Sequence, residues 1–161
     1  MQRPAEPADL YLFDTFDGMT APTDIDIDPA GRSAREMLAV EDRATSDVWA
    51  YAPFEDVRAN MRSTGYPSEL IHYVQGPVEQ TLPGSAPEKI ALVRLDTDFY
   101  ESTRHELEHL ITRVSQNGVL IVDDYGHWEG ARRAVDEWFG TLERPVMLNR
   151  IDYTGRMAVL P

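Results

Sequence analysis

Gly118-Val119-Leu120-Ile121-Val122-Asp123-Asp124-Tyr125-Gly126 decides the fold of this chain. Four aliphatic residues in a row, entered from glycine and left through two aspartates, read as a short buried strand. Ile90-Ala91-Leu92-Val93 leads in the same way toward Asp96, and Leu10-Tyr11-Leu12-Phe13 leads to Asp14. Between the Ile90 and Val119 runs, Leu107, Leu110, Ile111 and Val114 follow the i, i+3, i+4, i+7 spacing of an amphipathic helix. Gly118 is expected to stop that helix as a C-terminal cap. Alternating strands and helices predict an α/β sheet that is mainly parallel. In such sheets ligands bind outside the carboxyl ends of the strands. Carboxylates gathered there repel one another unless a cation or a proton compensates. The expectation is a metal site, a catalytic site, or both.

The rest of the chain fits around this centre. Phe54, Val57 and Met61 have helical spacing, ended by Gly65-Tyr66-Pro67, and Ile71 to Val74 is a further strand before Gly76-Pro77. Ala131, Ala134, Val135, Trp138 and Phe139 form another helical stripe, closed by Gly140. Val146 to Ile151 and Met157 to Leu160, separated by Asp152-Tyr153-Thr154-Gly155-Arg156, predict a C-terminal antiparallel hairpin. Residues 20–47, rich in Asp, Pro, Thr and Ala, are a lid or a surface loop with a short helix around Ser33 to Val40. The whole of residues 1–161 reads as a single domain.

Composition narrows the partners. With 42% hydrophobic and 27% charged residues the chain is globular. A formal net charge of -13 argues against nucleic acid and against an anionic membrane surface, and is compatible with divalent cations. The absence of cysteine excludes disulfides, thiolate metal sites and cysteine nucleophiles. The first nine residues lack the apolar stretch of a signal peptide, and no run is long enough to span a membrane. A cytoplasmic protein is the expectation.

His105-Glu106-Leu107-Glu108-His109 matches the H-E-x-x-H signature of zinc peptidases. At about 100° per residue, both histidines point about 160–200° from Leu107, the centre of the apolar stripe. They are expected to face solvent, with no pocket and no evident third ligand.

Asp96, Asp123 and Asp124 offer hard oxygen ligands, which suit Mg²⁺, Mn²⁺ or Ca²⁺ rather than zinc. The plainer alternative is that these aspartates form turns and cap helices. Arg94-Leu95-Asp96-Thr97-Asp98-Phe99-Tyr100-Glu101-Ser102-Thr103 resembles the macrocin O-methyltransferase family (TylF/MycF type). So does Gly118 to Asp136, and Phe13 to Met19 and Asn149 to Arg156 also look like it. These enzymes methylate sugar hydroxyls of macrolides and related natural products with S-adenosylmethionine and a divalent metal. The resemblance implies a Rossmann-like class I methyltransferase sheet and a glycoside substrate. It makes Asp96, Asp123 and Asp124 the ligands of Mg²⁺, and Asp98 the general base, with His127 as a second choice. It gives Asp14 to the cofactor ribose, and Gln75 and Gly76 to the adenine. Tyr125 and Trp128 would line the acceptor pocket. A turn role for Asp14, loop filling for Gln75 and Gly76, and core packing for Trp128 stay open.

Nucleotide-binding α/β folds usually open with a strand, a glycine-rich turn and a helix. None of the ten glycines forms a G-x-G pair, and only nine residues precede the first strand. In the family, the strand so missing lies mid-sheet and its loop holds the methionine end of the cofactor. The chain therefore resembles an enzyme lacking its first β-α unit. The alternative function is a shortened relative that keeps the metal site without the cofactor site. Unpaired strand edges would favour a homo-oligomer.

Overall fold

The structure is a computed structural model and describes residues 6–161; the start of the polar lead-in lies outside it. Six strands and five helices follow in order: β1 (Leu10–Asp14), α1 (Ala34–Val40), α2 (Phe54–Ser63), β2 (Ile71–Gln75), α3 (Val78–Thr81), β3 (Ile90–Leu95), α4 (Tyr100–Leu110), β4 (Val114–Val122), α5 (Glu129–Gly140), β5 (Asn149–Arg150) and β6 (Arg156–Val159). The predicted elements are all present. The hairpin strand expected from Val146 is reduced to Asn149–Arg150.

The strands form two sheets rather than one. β1 and β2 pair in parallel, and β3-β4-β6-β5 form a four-stranded sheet with a parallel β3–β4 pair and an antiparallel C-terminal hairpin. One face of the larger sheet carries Val93, Leu95, Leu120, Val122 and Ala158, packed with Leu107 and Leu110 of α4 and Ala134 and Val135 of α5. On the other face the register Leu92–Val119–Val159 makes an apolar row whose ends are 57% and 51% exposed. Among the described residues no helix is long and apolar enough to cross a membrane.

Gly118 is not a helix cap. The helix gives way after Leu110 to a 3-10 turn over Ile111–Arg113, and Val114 already pairs with Ile90. Val114 kept the i+7 spacing by coincidence. Ile90 pairs with Val114 and Leu92 with Val119, so β4 carries a bulge there. Asn117 sits in it at φ 63° and donates its N–H to the Leu160 carbonyl. Glycine is required at 118 because a Cβ would lie 2.5 Å from Val114 Cγ1 and 2.7 Å from the Ser115 carbonyl.

Residues 20–47 form a surface loop bound to the core at a buried aspartate. Asp26 is fully buried (0% exposed). One of its oxygens accepts from the Thr23 N–H and hydroxyl at 2.6 and 2.7 Å, and the other from the Tyr100 N–H at 2.7 Å. That contact supplies an acceptor and a negative charge to the N-terminus of α4. The same oxygen approaches α5 so closely that a Cβ on Gly130 would lie 1.8 Å from it. Asp28 is buried nearby and held by Arg32, whose N–H and that of Ala30 keep its carboxyl below the usual range. Asp26→Ala leaves the part-buried donors of Thr23 and Tyr100 without an acceptor, and Gly130→Ala displaces the same carboxylate. Each should cost about 2–4 kcal/mol in urea unfolding. Gly140→Ala, with open space around it, should change stability by less than about 1 kcal/mol.

Candidate functional site

β3 and β4 run side by side in register to their last pair, Leu95 and Val122, and the Asp123 N–H continues the ladder to the Leu95 carbonyl at 2.9 Å. The residues that follow must therefore be neighbours. Ligand atoms of Asp96, Asp98 and Asp124 all come within 4.8 Å of one another. Asp98 enters this set because it takes φ 63°, a conformation uncommon for a residue with a side chain. Asp123, which the resemblance makes a ligand, is not in that set and lies beside Asp96 instead. Arg94 bridges it to Asp96, with nitrogen–oxygen distances of 3.0 and 3.1 Å.

Electrostatics agree with the crowding. Burial, then the hydrogen bond and charge of Asp124, push the Asp98 carboxyl up to about 9. Burial, with Asp123 next to it, brings Asp96 to about 6 against the opposing pull of Arg94. Burial also raises Asp124, although its hydrogen bond to Asp98 works the other way. The shared proton thus belongs on Asp98. Oδ2 of Asp124 is buried and has no hydrogen-bond partner among the described residues. An orphaned carboxylate oxygen inside an all-oxygen acid cluster fits a hard divalent cation such as Mg²⁺.

A pocket opens beside the cluster, between the ends of β1 and β3. Asp14, Gly18, Thr20, Gly76, Asp96, Thr97 and Ser102 are among its lining residues. Asp14 spends one oxygen on the Phe16 N–H at 2.7 Å, so the turn role is real, and the residue still borders the pocket. Gln75 and Gly76 line an adjoining cavity with Thr15 to Thr20. The structure thus brings Asp14 and Gly76 to the same pocket as Asp96, with Gln75 in the adjoining cavity.

The acceptor residues fare differently. Trp128 is 4% exposed and packs edge-on against Phe99 in a small core with Ala34 and Ala131. Its assignment to the acceptor pocket is corrected: the indole is core. Tyr125 is half-buried, its hydroxyl donating to Asp136 at 2.8 Å and its ring flanked by Arg132 and Arg156. His127 packs against Trp128 and Tyr153 and stands close enough to Asp124 for its charge to matter there. The anchoring role of Asp26 leaves no local signal in the sequence, because Tyr100 and Gly130, which it reaches, lie far along the chain.

The zinc-peptidase reading fails on Glu106. That side chain is buried on the inner side of α4 and accepts from Thr97, so it cannot activate water at the histidines. His105 and His109 are half-buried rather than fully solvated, their ring centroids 4.3 Å apart. A third ligand-type residue, Glu108, lies within 4.8 Å of them. It already pairs with Arg104 at 2.5 Å.

Acid-tipped parallel strands ending in an antiparallel hairpin define the class I methyltransferase architecture. Solved structures agree. The O-methyltransferase NovP superposes with a TM-score of 0.76 at 29% identity, over 94% of this chain and 60% of that one. The calicheamicin methyltransferase CalS11 shares the fold at a TM-score of 0.64, over 94% of this chain and 60% of its own. The model of the macrocin O-methyltransferase (TylF) family matches residues 2–158, and the chain belongs to that family. Among relatives, it is 34% identical over 146 residues to the 8-demethyl-8-(2,3-dimethoxy-alpha-L-rhamnosyl)-tetracenomycin-C 4'-O-methyltransferase of Streptomyces olivaceus, covering 91% of this chain and 52% of that protein. It is 31% identical to the demethyldecarbamoylnovobiocin O-methyltransferase of Streptomyces niveus, covering 91% and 53%. The chain thus spans about half the length of the curated relatives it matches.

The raised carboxyls make a pH prediction. A group whose folded pKa lies above its unfolded value of about 3.9 keeps a proton that the unfolded chain releases. Asp96 and Asp98 therefore favour the metal-free fold at low pH, and that advantage is lost as pH rises toward about 6 and about 9. The metal-free protein should lose thermal stability between pH 5 and 9. Mg²⁺ should raise the Tm more at pH 8.5 than at pH 5, as read by differential scanning calorimetry.

Proposed function

We propose that this chain is the acid-bearing part of an S-adenosylmethionine- and divalent-metal-dependent O-methyltransferase acting on a hydroxyl of a sugar attached to a natural product. The observation that carries this reading is the gathering of Asp96, Asp98 and Asp124, with Asp123 beside Asp96 and an orphaned Asp124 oxygen, next to a pocket that Asp14 also borders. Family membership and the printed activities of the relatives support the reaction class.

In this reading Asp96, Asp123 and Asp124 hold the cation, and Asp98 takes the proton. Bound there, the cation would supply positive charge that lowers the pKa of a hydroxyl beside it. S-adenosylmethionine, when bound, would supply the methyl group, and the Asp98 carboxylate would take the proton that the methylated hydroxyl gives up. Asp98 must be ionised to accept it. Its raised pKa in the cation-free protein marks a group whose charge state a bound cation would change. Asp14 would offer its second oxygen to the cofactor ribose, and Gln75 and Gly76 would offer amide and backbone groups to the adenine.

The split sheet favours a second reading, in which these residues keep the acid cluster without holding the cofactor by themselves. β1 and β3 belong to different sheets, and Leu92 and Val159 leave an apolar face open. Parallel strands are ordinarily covered on both faces. Isothermal titration should show Mg²⁺ binding that Asp124→Asn weakens at least tenfold. Asp98→Asn should lower methyl transfer by about 10²–10⁴-fold, with cation affinity nearly kept. If Asp98→Asn stays active and His127→Ala is dead, the base is His127. Under the second reading, the 161-residue chain alone binds S-adenosylmethionine weakly and self-associates in sedimentation. Tight cofactor binding by a monomer would remove that reading.

A further inference from the structure

Glu106, the acid of the H-E-x-x-H motif, does not share a face with the histidines. It is 5% exposed, and its one hydrogen bond among the described residues is accepted from the Thr97 hydroxyl at 2.8 Å. Thr97 is the middle of the Asp96-Thr97-Asp98 turn. That turn is not relaxed: Asp98 has φ 63°, and the Phe99 N–H folds back onto the Thr97 carbonyl at 2.6 Å. Sparsely populated backbone of this kind persists only where the surroundings hold it. Thr97 also borders the pocket, yet its hydroxyl donates inward to Glu106.

We propose that Glu106 is a positioning residue: through the Thr97 hydroxyl it braces the turn that aims Asp96 and Asp98 into the acid cluster. The inference rests on the proposed reading of that cluster as the cation- and proton-handling site. Burial pushes the Glu106 carboxyl up to about 8, against the pull of Thr97. Glu79 of α3, whose carboxylate is held by Ser102 at 2.6 Å, and Asp96 at the end of β3 face it with negative charge and act in the same direction. At neutral pH the brace is therefore a neutral acid. It accepts from Thr97 without adding a further negative charge to the cluster. A glutamine can do the same through its carbonyl oxygen; an alanine cannot.

The test uses the whole chain with Glu106→Gln, Glu106→Ala, Thr97→Val and the Glu106→Ala/Thr97→Val pair, each measured by Mn²⁺ calorimetry and by thermal unfolding. Glu106→Ala should weaken Mn²⁺ binding by about tenfold or more, as losses behind a metal ligand do. Glu106→Gln should restore it to within about threefold of the parent. In the double variant the two losses should not add, the mark of a shared interaction. From pH 6 to 9 the parent should lose Tm relative to Glu106→Gln, because the folded parent holds a proton that the unfolded chain releases above about 4.5. An Ala variant with lowered Tm and unchanged Mn²⁺ affinity would make Glu106 a packing residue only. A Gln variant as impaired as the Ala variant would also overturn the proposal. A parent that binds no Mn²⁺ would refute the reading of the cluster instead. The brace would then be decided by the thermal cycle, where additive losses overturn it and non-additive losses sustain it.

Discussion

The in-register pairing of β3 with β4 is the constraint from which the site follows. Parallel neighbours stand about 4.8 Å apart, so whatever succeeds Leu95 and Val122 must share one small volume. The chain places aspartates there. The result is repulsion, relieved by a proton on Asp98 and by Arg94 between Asp96 and Asp123. Below the acids, Val93, Leu95, Leu120 and Val122 interlock with α4 and α5, and this apolar layer holds the strands against the repulsion at their tips.

The same two helices tie the long loop to the site. α4 begins just after Asp98, and α5 begins a few residues after Asp124. Asp26 reaches the first of these helix starts with its carboxylate and closes on the second at Gly130. Its backbone also takes part, for the Ala34 N–H donates to the Asp26 carbonyl at 2.9 Å. A loop that borders the pocket through Thr20 is thereby referenced to the helices that follow both acid turns. Glu106 does from below what Asp26 does from the side. One braces the turn itself, and the other the helix that leaves it.

The division of the strands into two sheets bears on what these residues can do together. The pocket lies where the two sheets meet, with Asp14 and Gly76 contributed by one and Asp96 and Thr97 by the other. The acid cluster belongs wholly to the larger sheet and its loops. The Asp14 side of the pocket depends on how β1 is held relative to β3, and no backbone ladder joins them. The acid cluster and the β1–β2 side of the pocket are thus held by separate sheets.

Strands that end in aspartate could be read directly, because aliphatic runs of strand length leave little choice of element and the acid after each run falls at a sheet edge. Helix geometry set His105 and His109 apart from the Leu107 stripe, but it did not show that they are half-buried, nor that Glu106 turns inward to Thr97. Val114 and Gly118 misled because a bulged strand imitated the last turn of a helix, and periodicity cannot register a bulge that only a partner strand defines. Trp128 could have been pocket or core until Phe99 was found against it. The sequence by itself determined which residues are acidic, which are apolar, and which elements carry them. Only the tertiary structure decided that Asp98 joins Asp96 and Asp124, that Arg94 answers Asp123, and that Asp26 and Glu106 hold the arrangement. Those contacts join residues distant in the chain or depend on a single backbone torsion, and neither leaves a local pattern to read.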